Sequence, residues 1–130
     1  MAVHPQRKIP APTPTPDTTE FWNAAAEGRF MLKRDVKDGE YHWYPRVLCP
    51  FDFGETEWVE SKGEGVIYSF STMLRAPEPY TIAYVTLDEG TTMLTNIVDC
   101  DFDTLKIGQR VKLKFVPTEG GPPVPCFTPV

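Results

Sequence analysis

The sequence is poor in the groups that most enzymes use. Its 130 residues include two histidines, His4 and His42, and three cysteines, Cys49, Cys100 and Cys126. An odd number of widely spaced cysteines makes no disulfide framework, so reduced and mostly buried thiols are expected. No Ser-His or Cys-His signature surrounds them, and no glycine-rich phosphate loop is present; Gly63 and Gly65 read as a turn before a strand. His4 falls in a proline-rich segment, and His42 sits between Tyr41 and Trp43 on an expected strand. Positive charge is also short: 13 Lys and Arg stand against 18 Asp and Glu, a net charge of −5. Nucleic-acid binders need a positive footprint, so the balance opposes that role. No apolar run approaches the roughly 18 residues of a membrane helix. Residues 1–16 lack the apolar centre of a signal peptide, and a cytoplasmic protein without membrane contact is expected.

Punctuating residues are plentiful. Fourteen prolines and nine glycines favour short strands and turns over long helices. Residues 1–16 alternate prolines and read as a flexible, extended arm. Asp17, with Glu20 three residues on, resembles a capping box and opens a helix over 18–27 that Gly28 ends. Phe21, Trp22 and Ala25 give that helix an apolar face, which must dock because ten residues are too few for independent stability. Short strands follow at 30–34 and 41–44, then an irregular loop over 46–54. From residue 57 the pattern is successive strands at 57–61, 65–74, 80–87, 92–98 and 110–116, with turns at Asp88-Glu89-Gly90 and Glu119-Gly120-Gly121. The class is mainly β: a helix and ribbon-like segment over 17–56, then a five-stranded barrel over 57–130.

Candidate chemistry is sparse. Zinc ribbons place two C-x-x-C knuckles together. The corresponding pieces here are Asp35 with Asp38 and Cys49 with Asp52. One thiol and three carboxylates make a poor structural zinc site, so no metal is expected. Asp99, Asp101 and Asp103 superficially resemble a calcium loop, but Thr104 and Arg110 stand where glycine and a carboxylate belong. Tyr68, Ser69, Arg75, Tyr80 and Tyr84 fall on two adjacent strands and their turn. They are candidates for binding a ligand across one barrel face. Arg75 and Arg46 carry the planar fork that meets phosphate or carboxylate.

The same pieces carry a family resemblance from Asp17 to Pro129. They are Phe21-Trp22 to Gly28-Arg29, Pro45-Arg46 with Cys49-Pro50, and Gly63-Glu64-Gly65-Val66-Ile67-Tyr68-Ser69-Phe70. Arg75-Ala76-Pro77, Leu87-Asp88-Glu89-Gly90, Leu105-Lys106-Ile107-Gly108 and Pro125-Cys126-Phe127-Thr128-Pro129 complete the set. In this order the chain resembles the OB-fold family of acyl-CoA-associated proteins with a rubredoxin-like zinc ribbon, long called a domain of unknown function. The resemblance implies a helix, a ribbon and an OB barrel, and no catalytic residues of its own. It implies a hetero-oligomer with a thiolase-fold enzyme, such as a thiolase, aldolase or acyltransferase, whose acyl-CoA passage the chain helps to form. The family's four zinc cysteines fall on Asp35, Asp38, Cys49 and Asp52, so zinc is not carried over. A histidine common before Arg-Ala-Pro is Leu74 here. Phe21, Trp22, Tyr41, Trp43, Tyr44 and Phe51 are the expected docking or ribbon surface. A standalone acyl-CoA-binding or small-ligand module is the alternative, followed by a single-stranded nucleic-acid binder.

Overall fold

One apolar core joins the helix, the small N-terminal sheet and the barrel. The computed structural model describes residues 6–130; His4 and Pro5 lie outside them. The elements run α1 (Thr19–Ala26), β1 (Met31–Asp35), β2 (Tyr41–His42), β3 (Thr56–Glu60), β4 (Glu64–Met73), β5 (Tyr80–Leu87), β6 (Thr92–Ile97), a 3-10 turn (Phe102–Thr104), β7 (Arg110–Val116) and β8 (Val124–Pro129). Strands β2-β1-β3 form a small antiparallel sheet, and β4-β5-β6-β8-β7 close into a barrel. Phe21 and Trp22 of α1, Leu32 of β1, and Ile67, Val85, Met93, Val111 and Phe127 of the barrel belong to one buried cluster. The OB barrel expected from the sequence is present.

Alternation explains the barrel. On β5, Thr81, Ala83, Val85 and Leu87 face inward, and on β6 Met93, Thr95 and Ile97 do so. β4 pairs with β7 through Glu64–Val66 and with β5 from Gly65 to Met73; a bulge between Ile67 and Ser69 bends it toward both partners. Gly65 permits the close crossing, since a Cβ there would lie 2.4 Å from the Thr86 carbonyl oxygen.

The assignment of strands differs from the sequence reading in two places. The strand at 57–61 belongs to the ribbon sheet, where Val59 pairs with Leu32 on β1, and the barrel begins only at Glu64. The fifth barrel strand is instead β8, which contains Pro125 and Pro129. Proline lacks a donor N–H and discourages a strand assignment. Here Pro125 keeps its carbonyl in use, accepting Thr95 Oγ1–H at 2.9 Å, while β8 pairs with β7 on its other side.

The helix start also differs. Asp17 does not cap it; Thr18 occupies the cap position without a side-chain cap bond. The Thr15 carbonyl instead accepts the N–H groups of Thr18 and Thr19. Gly28 does end the helix, at φ +81°.

The described part of the expected flexible arm is docked. Ile9 packs on Val98, Val116 and Cys126, and its carbonyl accepts the Glu119 N–H at 3.0 Å. Ala11 lies against Gly121, where an added Cβ would come within 2.5 Å of the Ala11 Cβ. Burial pushes the Cys126 thiol up to about 12. Native Cys126 should therefore resist alkylation, and Gly121→Ala, by lifting the arm, should make it react faster. Mass-spectrometric labelling rates check this; equal rates in the two proteins would count against a covering arm.

Candidate functional site: an exposed barrel face and an aspartate-substituted knuckle

The pairing of β4, β5 and β6 builds a face directed away from the core. Ser69 stands beside Tyr84, and Tyr84 beside Leu94; Ser71 pairs with Ile82. With Phe70 and Ala83 these residues line an open groove of about 180 Å³. Tyr68, at the bulge, is 68% exposed, Leu94 52% and Tyr84 46%. A solvent-facing sheet surface normally carries polar residues, so this run of exposed apolar and aromatic side chains is the candidate contact surface. The groove is smaller than the ~300–1,000 Å³ typical of a pocket that encloses a drug-sized ligand.

The expected ligand cluster therefore divides. Tyr68, Ser69 and Tyr84 share the groove region. Arg75 and Tyr80 line a separate hollow with Thr72, Met73, Leu74 and Ala76. The Arg7 guanidinium lies 4.2 Å from the Tyr80 ring centroid, a cation–π contact from the docked arm. Arg46 stands in the β2–β3 loop, where its N–H donates to His42 Nε2 at 3.2 Å. Ile82 and Leu94 were not singled out in the sequence; the signal available was their outward place in alternating strands.

The expected docking aromatics divide as well. Phe21 and Trp22 are buried in the chain's own core and present almost no surface. Their aromatic neighbours explain this: Phe21 meets Trp22 and Trp43 edge-on at 4.8 and 5.3 Å between centroids. Trp22 Nε1–H donates to Tyr44 Oη at 2.9 Å. Tyr41 and Trp43 are half-buried against the same core, Tyr44 is at its edge, and Phe51 is exposed. The β2–β3 loop adds exposed Val47, Leu48 and Phe53, which the sequence reading passed over.

The two knuckle loops meet. A carboxylate oxygen of Asp35, Cys49 Sγ and a carboxylate oxygen of Asp52 lie within 4.8 Å of one another. Asp38 stands apart from this group, its Oδ1 accepting the Glu40 N–H at 2.9 Å. Burial pushes the Cys49 thiol up, with the Phe51 N–H acting against it. A closed structural zinc site needs four donors, usually thiolates or imidazoles. One thiol, two carboxylates and a diverted third carboxylate do not fit that group.

His42 is buried beside this loop. Desolvation, then Lys33 and Arg46, lower its pKa from the ordinary 6.5. The neutral form is thus favoured in the fold. Its contribution is fully present above pH 6.5 and is lost as pH falls toward the lowered value. Stability should fall on acidification below pH 6.5 by at most about 1.4 kcal/mol per pH unit from this group. Denaturant midpoints measured across that range in wild type and His42→Gln check the slope, which should flatten in the variant.

A five-stranded barrel led by a helix and a knuckle-bearing sheet defines an OB-fold protein with a ribbon-like N-terminal part. The family model described as ChsH2, C-terminal OB-fold domain, matches residues 58–116. The chain is 33% identical over 109 residues to a DUF35 domain-containing scaffold protein of Methanothermobacter thermautotrophicus, covering 76% of this chain and 81% of that one. The chain belongs to the DUF35 family. It is 30% identical over 132 residues to the probable enoyl-CoA hydratase alpha subunit of Thermomonospora curvata, covering 96% of this chain but only 41% of that protein. Among solved structures it resembles a chain of the Ltp2-ChsH2(DUF35) aldolase with TM-score 0.80 and 28% identity, covering 91% of this chain and 98% of that one. A DUF35-family protein of unknown function from Sulfolobus solfataricus shares the fold at TM-score 0.61 and 20% identity, over 75% of this chain and 77% of that one. Among the described residues, no helix is long and apolar enough to cross a membrane.

Proposed function

We propose that the chain is a non-catalytic subunit of an enzyme that makes or breaks a carbon–carbon bond in acyl-CoA substrates. The partner is a thiolase-fold subunit of the aldolase, thiolase or acyltransferase kind, and it carries the reacting groups. The observation that carries this reading is the exposed apolar face of β4, β5 and β6, on a chain that matches nearly the whole of a DUF35 chain from an aldolase. Apolar and aromatic side chains held rigidly on a sheet suit an interface, because little side-chain entropy is lost on docking. The exposed loop residues Val47, Leu48, Phe51 and Phe53 offer a second contact.

The acyl-CoA ligand belongs in this reading to the assembly. The groove on this chain is too small to enclose a CoA ester and would form one wall of the passage, with Arg75 and Arg46 as candidate phosphate contacts. The reading puts the chain in the cytoplasm, where CoA esters are used. Affinity purification of the tagged chain from its native cell tests it. Co-purification of a thiolase-fold enzyme at fixed stoichiometry is expected; recovery of the chain without one under gentle salt would overturn it.

A further inference from the structure

β4 outlasts one of its neighbours. It pairs with β5 from Gly65 to Met73, but with β7 only through Glu64–Val66. At Ile67 two last bonds reach across, to the Gln109 carbonyl and from the Gly108 N–H. Beyond the bulge β4 has a partner on one side only. The ladders fix which backbone groups are left open. The Leu87 N–H donates to the Thr91 carbonyl, so Leu87 points to the β6 side, and by alternation Thr81, Ala83 and Val85 do too. Tyr80, Ile82 and Tyr84 then point to β4, where they meet Met73, Ser71 and Ser69. Phe70 and Thr72 are left facing outward. Among the described residues, neither backbone makes a bond on that side.

Native sheets guard such edges, because a bare ladder pairs with another strand. β3, the edge of the ribbon sheet, carries Glu57 and Glu60, and Leu48 bridges Glu55 at its start. The open part of β4, from Tyr68 to Met73, has no charge and no proline. Tyr68 and Leu74, at its two ends, are exposed.

We propose that this edge pairs with the same edge of a second copy of the chain, antiparallel, about a two-fold axis at Ser71. In that register Phe70 exchanges both backbone bonds with the copy's Thr72, and Thr72 with the copy's Phe70. A centre on Phe70 would set Thr72 against the bulge at Tyr68, and one on Thr72 would set Phe70 against Leu74, beyond the strand's end. The small, exposed Ser71 stands at the axis, where opposed side chains come closest. Charge selects the same occupant. Two copies each carry a net charge of −5 and repel over most of their surface, yet along this segment no like charges meet. Ser69 faces the copy's Met73, and Tyr68 faces the copy's Leu74, so two exposed apolar side chains gain cover. The outward face of Ile82, Tyr84 and Leu94 continues across the axis and stays open, so the pairing does not depend on the enzyme partner.

The test is sedimentation of the purified full chain over rising concentration. A short ladder buries little surface, so a monomer should give way to a species of twice its mass as concentration increases. Ser71→Lys sets like charges face to face at the axis. It should keep the native circular dichroism and stay monomeric throughout, whereas Ser71→Thr should dimerise as wild type does. Cross-linking reads the register. Opposed residues of a non-hydrogen-bonded pair stand about 4.5 Å apart at Cα, within reach of a disulfide. Mild oxidation of Ser71→Cys should therefore give a covalent dimer, while Ser69→Cys should give no more than the wild-type background. A monomer at every concentration would overturn the proposal. So would a dimer that Ser71→Lys leaves intact, or cross-linking of Ser69→Cys as fast as that of Ser71→Cys.

Discussion

Phe21→Ala is expected to unfold ribbon and barrel in one transition, at a cost of about 3–5 kcal/mol. Phe21 has no exposed surface, and its ring meets those of Trp22, Phe30, Trp43 and Tyr44. Phe30 in turn meets Phe115 on β7 and Phe127 on β8 at 6.3 and 6.4 Å between centroids. Removing the ring leaves a cavity where helix, ribbon and barrel converge, and no one of them can close it. Domains of this size are stable by only about 5–15 kcal/mol, so the loss is a large share of the total. Denaturant unfolding followed by tryptophan fluorescence and by far-ultraviolet circular dichroism checks the claim. The ribbon holds Trp43 and Trp58 and the barrel holds most of the strands, so the probes report different parts. Two separated transitions in wild type would contradict a shared core.

The second large effect concerns assembly. Tyr84→Glu with Leu94→Glu should leave the fold intact, since both side chains are substantially exposed. It should weaken partner binding by at least about 2 kcal/mol, roughly thirtyfold, if these residues stand at an interface centre. A charge buried there without a partner costs more than the lost contact. A matched control is Lys62→Glu with Glu119→Lys, two charged sites away from this face. Titration calorimetry against the co-purified enzyme distinguishes the pair; equal affinity in both variants would move the interface elsewhere.

Much of the barrel was legible because its strands alternate over long stretches. Thr81, Ala83, Val85 and Leu87 keep a strict period of two, and the turn at Asp88-Glu89-Gly90 sets the β5–β6 register. The closing strand was not legible, because Pro125 and Pro129 mask it and its pairing with β6 spans distant sequence. The strand at 57–61 was visible but not its sheet, since local pattern does not choose between β1 and the barrel as a partner. Asp17 and Glu20 carried a helix-start signal, yet Thr15 took over that work through its carbonyl.

Site residues followed the same rule. Tyr68, Ser69 and Tyr84 were traceable through one hairpin, whereas Leu94 required knowledge of a third strand. Phe21 and Trp22 were legible as apolar, but only packing decided between core and docking surface. The convergence of Asp35, Cys49 and Asp52 came from the resemblance, because their spacing matches no familiar ligand motif once cysteine is lost. Nothing local distinguished Asp38, which resembles them in sequence and departs in space.

The most direct test is turnover of a CoA ester by the purified chain, the purified partner, and the two combined. Activity should be absent from this chain alone and should rise in the partner as it is added, reaching a plateau at a fixed ratio. Turnover by this chain without any partner, at a rate that tracks its own folding, would contradict the account.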